Sequence, residues 1–302
     1  MVLEQFSLLA KNWLFIQVLV GGLLLGGVYA LVAAGFTMIF GVLKILNIAH
    51  GEFVVLGSYV AYWVFILLGI DPILAIAVTL PAAALYGFAT YFLAIESVSR
   101  KGIEPTIVAS FGVLLILQSS MLAAFTGDPR SIVTEFTGES LVFGPVIMPL
   151  TKVLAFTLAV AALLVLSLFL NKTQIGKALR AVSQDAEASM LMGIPARALQ
   201  RLGFVIGAML AGLTGNVIAM VSSFTPTLGP EFLLKSFVIL AIVGIGNVRE
   251  VVIGGLLLGT VEAFGSFFLG AGMRNVVAYG LLIILLLIKP SGLFSKAEQR
   301  EV

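Results

Sequence analysis

Long apolar runs separated by short polar connections dominate the chain. A membrane span needs about 20 apolar residues, and by that rule the pattern predicts spans near 14–40, 54–69, 73–95, 106–125, 152–170, 202–223 and 276–289. Two further apolar segments, 233–246 and 252–269, are separated only by residues 247–250. The first is short, which is typical of a re-entrant half-helix. We therefore predict an all-α polytopic membrane protein with about 8–10 transmembrane helices, some of them broken or re-entrant.

Composition supports this prediction. Of the 302 residues, 60 % are hydrophobic and only 11 % are charged, and the mean hydropathy is +1.16. Soluble domains average about 25 % charged residues. Because no polar stretch is long enough to fold as a soluble domain, residues 1–302 are predicted to form a single transmembrane domain. The net charge of +2 comes without a long basic run, so nucleic-acid binding is not expected. The absence of cysteine excludes disulfides and thiolate metal sites.

The distribution of lysine and arginine predicts the orientation. These residues gather at 100–101, in segment 171–201 and in the tail from Lys289 onward. Because basic residues are enriched in cytoplasmic connections, these regions and the C-terminus are predicted to be cytoplasmic. The acidic connection 126–151 is then an external loop. Counting spans back from the C-terminus places the N-terminus outside.

One polar interruption, residues 44–53, lies between two strongly apolar segments. It carries Lys44, Asn47, His50 and Glu52, with Gly51 among them. Non-helical backbone at membrane depth must be buried in protein or line an aqueous cavity, and ionisable groups there usually mark a functional site. The alternative is a cytoplasmic connecting loop in which Lys44 reaches back to the headgroups.

A second organised stretch lies in the basic segment 171–201. Ser183 is predicted to cap a helix whose first turn holds Asp185 and Glu187, where negative charge suits the helix dipole. Gly193 ends this helix in a left-handed conformation. The predicted helix has about two and a half turns and ends in apolar residues from Met190 onward. Such a helix favours docking into a partner's groove, and an amphipathic connector on the headgroups is the alternative.

Polar residues inside the spans are weighed individually. Glu262 is predicted to form an ion pair or hydrogen bond, with a role in the solute pathway as the alternative. Gln118 and Asn216 are predicted to join helices by hydrogen bonds. His50 is the only histidine, so a metal site is not expected, and a hydrogen-bonded packing role for it stays open. The sequence contains no set of nucleophile, base and oxyanion donors that would indicate an enzyme.

Small residues four apart predict close helix contacts. They occur at Gly22 and Gly26, at Gly203 and Gly207, at Ala211 and Gly215, and at Gly255 and Gly259. The stretches 21–26 and 254–259 have the same sequence, Gly-Gly-Leu-Leu-Leu-Gly. This repetition fits an internal repeat, and chance in so simple a composition explains it equally well.

Four motifs in order resemble the permease subunits of ABC importers for branched-chain amino acids, specifically the LivH-like member of the LivH/LivM pair. The first is Asn47-Ile48-Ala49-His50-Gly51-Glu52, which follows Ala30–Thr37. The second is the stretch Gly176–Ile194, with Ala178 and Arg180. The third is the turn Val243–Asn247 before Gly254, and the fourth is Lys289–Phe294. The short connection 96–104 and the charged turn after Gly246 depart from that family's pattern.

The resemblance implies a five-part importer. This chain would pair with a second, LivM-type permease, two ATP-binding subunits and an extracytoplasmic binding protein in the plasma (inner) membrane of a bacterium or archaeon. It has no phosphate-binding loop of its own, so ATP and Mg²⁺ would be used by the partner subunits and the chain would hold no cofactor. Residues expected to couple to the ATPases are Arg180, Asp185, Glu187, Met190 and Gly193.

Because polar and ionisable groups at membrane depth usually mark a functional site, Asn47, His50, Gly51 and Glu52 are predicted to line the substrate pathway, and Glu262 is a further candidate for it. The free backbone groups of a broken helix suit a zwitterion, and Phe36, Phe40 and Phe53 would match its apolar side chain. Transport of amides or urea by the same machinery stays open. Two other functions also stay open. One is an ion- or proton-coupled carrier in which Glu52, His50 and Glu262 form a relay, and the other is a channel-like facilitator.

Overall fold

A computed structural model describes residues 2–244, 250–289 and 292 of the chain. Its helices are α1 (Val2–Thr37), α2 (His50–Leu68), α3 (Pro72–Thr90), α4 (Ile103–Phe125), α5 (Leu150–Lys172), α6 (Gln174–Gln184), α7 (Ala186–Leu191), α8 (Ala196–Val221), α9 (Gly229–Val243), α10 (Val251–Leu269) and α11 (Arg274–Ile288). Short π-helical turns extend α1 over Met38–Val42 and α3 over Tyr91–Ile95, and 3₁₀ turns lie at Ser99–Lys101 and Ala271–Met273.

Eight of these helical segments are long and apolar enough to cross a membrane. They confirm the all-α polytopic fold that the hydropathy pattern predicts. The remaining apolar helix, α9, has only fifteen residues, which rise about 22 Å and fall short of a hydrocarbon core of about 30 Å. Its length agrees with a half-helix, and it begins at Gly229, four residues before the predicted segment.

Helix α8 lies at the centre of the bundle. It packs against α1, α2, α3 and α5, and its residues from Leu210 to Met220 are all buried. Its small residues explain the close packing: an added Cβ at Gly203 would meet Leu43, and one at Gly215 would overlap the backbone of α2 at Val54. Asn216 joins helices as predicted, donating to the Pro72 carbonyl at 2.9 Å and accepting from the Thr79 hydroxyl at 2.9 Å.

The two identical glycine stretches, 21–26 and 254–259, pack against each other. An added Cβ at Gly22 would lie 2.9 Å from the Gly259 oxygen, and one at Gly26 would lie 2.7 Å from the Gly255 oxygen. The backbones of α1 and α10 therefore approach so closely that no larger side chain fits. Close contact between glycines is thus confirmed for both stretches, whereas an internal repeat stays a prediction.

The basic segment differs from its prediction. Residues Gln174–Gln184 form α6, which the sequence pattern did not predict. Ser183 does not cap a helix: it lies in the last turn of α6, and its hydroxyl donates to the Arg180 carbonyl at 2.7 Å. The cap of α7 is Asp185, whose Oδ1 accepts from the amides of Glu187 and Ala188 at 2.9 Å each. Helix α7 is consequently six residues long instead of two and a half turns.

The connection 126–151 contains a β-hairpin that the helical periodicity could not reveal. Strands β1 (Ser140–Phe143) and β2 (Val146–Pro149) pair antiparallel. The Gln17 side chain exchanges two hydrogen bonds with the backbone of Ile147. Nearer its start, this connection is joined to the α8–α9 loop by two backbone hydrogen bonds between Arg130 and Phe224. The Tyr62 hydroxyl accepts a hydrogen bond from Arg130 and thereby raises the pKa of that guanidinium.

Parts of two predicted motifs lie outside the described residues. These are 245–249 in the turn before α10 and, in the C-terminal motif and tail, 290–291 and 293–302.

Candidate functional site

The polar interruption is a short non-helical segment between the π-helical turn and α2. The chain leaves helical geometry at Lys44, which is exposed and has a left-handed backbone with φ of 55°. Residues 44–49 follow, and α2 begins at His50. The predicted break is therefore confirmed, but it ends at Ala49 and does not extend to residue 53. Of the four predicted residues, Asn47 lies in the break, whereas His50, Gly51 and Glu52 form the first turn of α2.

Local hydrogen bonds hold the break in shape. The Asn47 Oδ1 accepts from the Ala49 amide at 3.1 Å, a turn that asparagine favours because its side chain replaces a backbone acceptor. Ser110 on α4 accepts from the Ile48 amide at 3.1 Å and lies within hydrogen-bonding distance of the Leu46 carbonyl at 3.2 Å. Ser110 satisfies backbone groups that the break leaves free, and sequence reasoning had not singled it out.

His50 has one partnered and one unpartnered ring nitrogen. Nε2 lies 3.1 Å from the Val32 carbonyl of α1, and the ring lies 5.5 Å from that of Phe36. Both contacts fit the packing role that stayed open in the sequence. Its Nδ1 has no hydrogen-bond partner among the described residues.

Glu52 faces the beginning of α9. Its side chain is fully buried, and neither carboxylate oxygen has a hydrogen-bond partner within the described part of the chain. An added Cβ at Gly229, the first residue of α9, would overlap this carboxylate, and one at Gly51 would overlap the Gly229 carbonyl. The two glycines therefore allow the starts of α2 and α9 to meet. The positive end of the α9 dipole then faces a buried acid.

The break thus gathers buried polar atoms that the described residues do not satisfy. They are Nδ2 of Asn47, Nδ1 of His50, both carboxylate oxygens of Glu52 and the hydroxyl of Thr37, the last residue of α1. Buried polar groups in proteins are nearly always hydrogen-bonded, because an unsatisfied one costs about 1–3 kcal/mol. Such atoms need a water molecule, an ion or a ligand to satisfy them.

Glu262 lies in a different environment, a charge cluster formed by Tyr29, Glu231, Lys235, Glu262 and Arg274. Its Oε2 accepts from Tyr29 at 2.8 Å and from Arg274 Nε at 2.7 Å, and its Oε1 lies 3.4 Å from Lys235 Nζ. Lys235 also pairs with Glu231 at 2.8 Å and donates to the Tyr29 hydroxyl at 2.8 Å.

The cluster thus contains two acidic and two basic side chains, on α9, α10 and α11, and Tyr29 joins it from α1. The side chains of Lys235 and Glu262 are 2 % and 0 % exposed. Arg274 completes the cluster by a second hydrogen bond to Tyr29. The predicted ion pair of Glu262 is therefore present. Its described partners come from the cluster and not from the break, so they give no support to a relay through His50 and Glu52.

The phenylalanines predicted to lie near the break divide into two groups. Phe36 and Phe40 lie beside it, with ring centroids 5.8 Å apart. Phe53 instead packs against Tyr86 and Phe204, at centroid distances of 5.3 and 6.1 Å, in the main core between α2, α3 and α8. The aromatic ring beside Phe36 is instead that of Phe237 on α9, at a centroid distance of 4.8 Å.

The residues predicted to couple to ATPases lie on α6, on α7 and in the turns next to α7. Asp185 caps α7, and Glu187 lies in its first turn. Gly193 has the predicted left-handed backbone, with φ of 80°. Met190 is half-exposed and Leu191 is 89 % exposed, while Arg180 on α6 hydrogen-bonds to Asn171 at 3.1 Å. A shallow depression of about 370 Å³ beside α7 is lined by Met190, Pro195, Ala196, Arg197, Ala198 and Arg201.

Comparison with known proteins assigns the family. The protein-family model described as the permease component of the branched-chain amino acid transport system matches residues 18–286. The chain belongs to this permease family.

Relatives align with this permease over nearly their full lengths. BraD, a permease protein of the high-affinity branched-chain amino acid transport system in Pseudomonas aeruginosa, is 32 % identical over 95 % of this chain and 98 % of its own. LivH of Escherichia coli is 30 % identical over the same shares. The family that the four motifs indicate is thereby confirmed.

A solved structure, PsaBC from Streptococcus pneumoniae in complex with Fab, aligns over 96 % of this permease and 97 % of its own chain. The identity is 16 % and the TM-score is 0.48, and no conclusion rests on that likeness.

Proposed function

We propose that this chain is the membrane-spanning permease subunit of an ABC importer that carries branched-chain amino acids across the plasma (inner) membrane of a bacterium or archaeon. The observation that carries the proposal is the family match over residues 18–286, joined by relatives of the same length at 30–32 % identity. The chain would be a multi-pass membrane protein with a cytoplasmic C-terminus.

The proposed machine requires partners. Two ABC ATPases would dock below the permease pair, and on this chain α6 and α7 would receive them, with Arg180, Asp185, Glu187, Met190 and Gly193 coupling ATP hydrolysis to transport. A second LivM-type permease would complete the membrane domain, and an extracytoplasmic binding protein would deliver substrate to the 126–151 side. ATP and Mg²⁺ would act only in the ATPases, since this sequence has no phosphate-binding loop.

The substrate pathway would pass the break. An amino acid carries an ammonium and a carboxylate, and the unpaired atoms at the break are complementary to both. The Glu52 carboxylate accepts hydrogen bonds and suits the ammonium, whereas the Asn47 amide donates and suits the carboxylate. His50 would hold the break against α1, and Gly51 would let α9 approach. Glu262 would act at a distance, by holding α9 in the charge cluster.

Reconstitution tests this function. Purified alone in lipid, the chain is expected neither to bind nor to hydrolyse ATP. Adding its ATPase subunits and loaded binding protein should produce ATP hydrolysis and uptake of radiolabelled leucine into proteoliposomes. Isoleucine and valine should compete for uptake, and urea and short amides should not. Robust ATP turnover by the chain alone would contradict the proposal, and competition by urea but not by valine would reassign the substrate.

A further inference from the structure

A small apolar cluster lies beside the break, separate from the main core. It consists of Phe36, Phe40, Ile48, Leu233, Phe237 and Leu240, and we call it the α1–α9 cluster. Residues of α1 and the break supply one half and α9 supplies the other. Phe36 connects it to the polar residues, because its ring lies 5.5 Å from that of His50 and 4.8 Å from that of Phe237.

The members of this cluster are not equally buried. Phe36, Leu233 and Leu240 are inaccessible, whereas Phe40, Ile48 and Phe237 are only partly buried. Phe237 belongs to an open face of α9 that also includes Leu234 and Ala241, three residues before and four after it. A ligand can therefore reach Phe237 from this open face without entering the packed core.

This open face is unsuited to contact with lipid. It lies beside Ile48 of the non-helical break, on a helix too short to span the bilayer. Irregular backbone at membrane depth must be covered by protein or line a water-filled cavity. A solute route along this face satisfies that requirement.

Polar and apolar groups therefore meet at one place in the fold. Phe36 links the two kinds of group: its ring lies 5.5 Å from that of His50, whose Nδ1 has no partner among the described residues, and 4.8 Å from that of Phe237 in the α1–α9 cluster. Asn47 and Glu52, close to His50 in the chain, carry further polar atoms without described partners. A ligand that matches both halves has a zwitterionic head and an apolar side chain. Binding sites for small molecules commonly combine an apolar lining with a few fixed polar groups.

We infer that the α1–α9 cluster is the subsite for the substrate's side chain and that Phe237 determines which aliphatic side chains are accepted. The inference rests on the proposed function and deepens it. The contact between the Phe36 and Phe237 rings closes the subsite in this structure, so a substrate side chain enters when the partly exposed Phe237 ring turns away from Phe36. The size of the side chain at position 237 therefore sets the space available.

Two substitutions at Phe237 test the size dependence. In the reconstituted importer, uptake rates of valine and leucine are measured with one and the same binding protein, so that the ratio isolates the permease. Phe237→Trp reduces the space and should raise the valine-to-leucine ratio by roughly tenfold, the discrimination that one methylene usually provides. Phe237→Ala enlarges the space and should lower discrimination between these substrates.

Phe264→Ala provides the matched control. Phe264, on α10, is also partly buried, but it packs against Phe15 of α1 and Phe268 of α10. Its ratio should equal that of the wild type. Unchanged ratios in both Phe237 variants, with uptake intact, would overturn the inference and leave the proposed function standing. Failure of the wild-type importer to carry leucine would instead overturn the proposed function.

A labelling experiment decides the case in which neither variant transports. The natural chain has no cysteine, so Phe237→Cys introduces a single thiol. During turnover, saturating leucine should slow its reaction with a small thiol reagent, and glycine should not. Equal labelling rates with leucine, with glycine and without substrate would overturn the assignment of Phe237.

Discussion

Two buried groups of polar residues lie in the same bundle and differ in one respect. In the charge cluster, Lys235 and Glu262 have close partners of opposite charge. At the break, Asn47, His50 and Glu52 are equally buried but keep unpaired atoms within the described part of the chain. Burial without partners is destabilising, so water or a ligand must satisfy the atoms at the break. The charge cluster therefore suits a structural role, whereas the break suits the substrate-binding role proposed for it.

The largest expected effect comes from breaking the charge cluster. Glu262→Gln leaves Lys235 and Arg274 with a single remaining acid, Glu231. Removing one partner of a buried ion pair typically costs about 3–5 kcal/mol. The purified permease should therefore unfold at a clearly lower temperature in detergent.

The double variant Lys235→Met with Glu262→Gln provides the control, because it restores charge balance. It should recover a large part of the loss, as coupled neighbours are not additive. A double variant that loses the sum of the two single effects would show that these residues do not act as a cluster.

The opposite pattern is expected at the break. Glu52→Gln replaces a carboxyl group that has no hydrogen-bond partner among the described residues, so stability should change by less than about 1 kcal/mol or improve. Transport should suffer instead, since a hydrogen bond to a charged group is worth about 1.5–3 kcal/mol, or roughly 10- to 100-fold in apparent affinity for leucine. Uptake and thermal unfolding are measured on the same preparation. Strong destabilisation with normal uptake per folded protein would make Glu52 a structural residue.

A smaller effect is expected where the two helix starts meet. Gly229→Ala places a methyl group against the Glu52 carboxylate, and overpacking of this kind costs about 1–3 kcal/mol. Uptake should fall because the carboxylate is displaced. Gly112→Ala on α4 is the matched control, since an added Cβ there meets nothing within 4 Å. Equal behaviour of the two variants would show that α9 does not press on Glu52.

A small effect on stability is also expected far from both regions, at α7. Asp185→Ala removes the acceptor for two backbone amides, a cap worth about 1 kcal/mol. Asp185→Asn keeps an acceptor and serves as the control. Thermal unfolding should hardly change in either variant, whereas substrate-stimulated ATPase activity should fall in Asp185→Ala and in Gly193→Val, where a β-branched residue meets a left-handed backbone. Full ATPase stimulation in both would exclude α7 from coupling.

Sequence patterns predicted the membrane-spanning helices because each of them is a long run of apolar residues. They also revealed Asn47, His50 and Glu52, whose polarity stands out between two such runs. The location of the cap at Asp185 was missed because Ser183 is an equally good capping residue, and only the continuation of α6 through Gln184 excludes it.

The partners across the bundle were beyond local patterns. Gly229 meets Glu52 across more than 170 residues, and no periodicity encodes that contact. Lys235 was passed over, although a signal existed: it is a cation inside an apolar segment, with Glu231 one helical turn before it. An intramembrane lysine predicts an acidic partner, which Glu262 supplies.

The most direct test of the substrate pathway uses single cysteines at positions 47, 50 and 52 in the reconstituted importer, with Ser58→Cys as the buried control on α2. Membrane-impermeant thiol reagents are applied from each side, with and without ATP and leucine. Labelling at 47, 50 and 52 should change with ATP and be slowed by leucine, while position 58 stays unreactive. Identical labelling of all three from the cytoplasmic side in every state would show that they form an ordinary connecting loop.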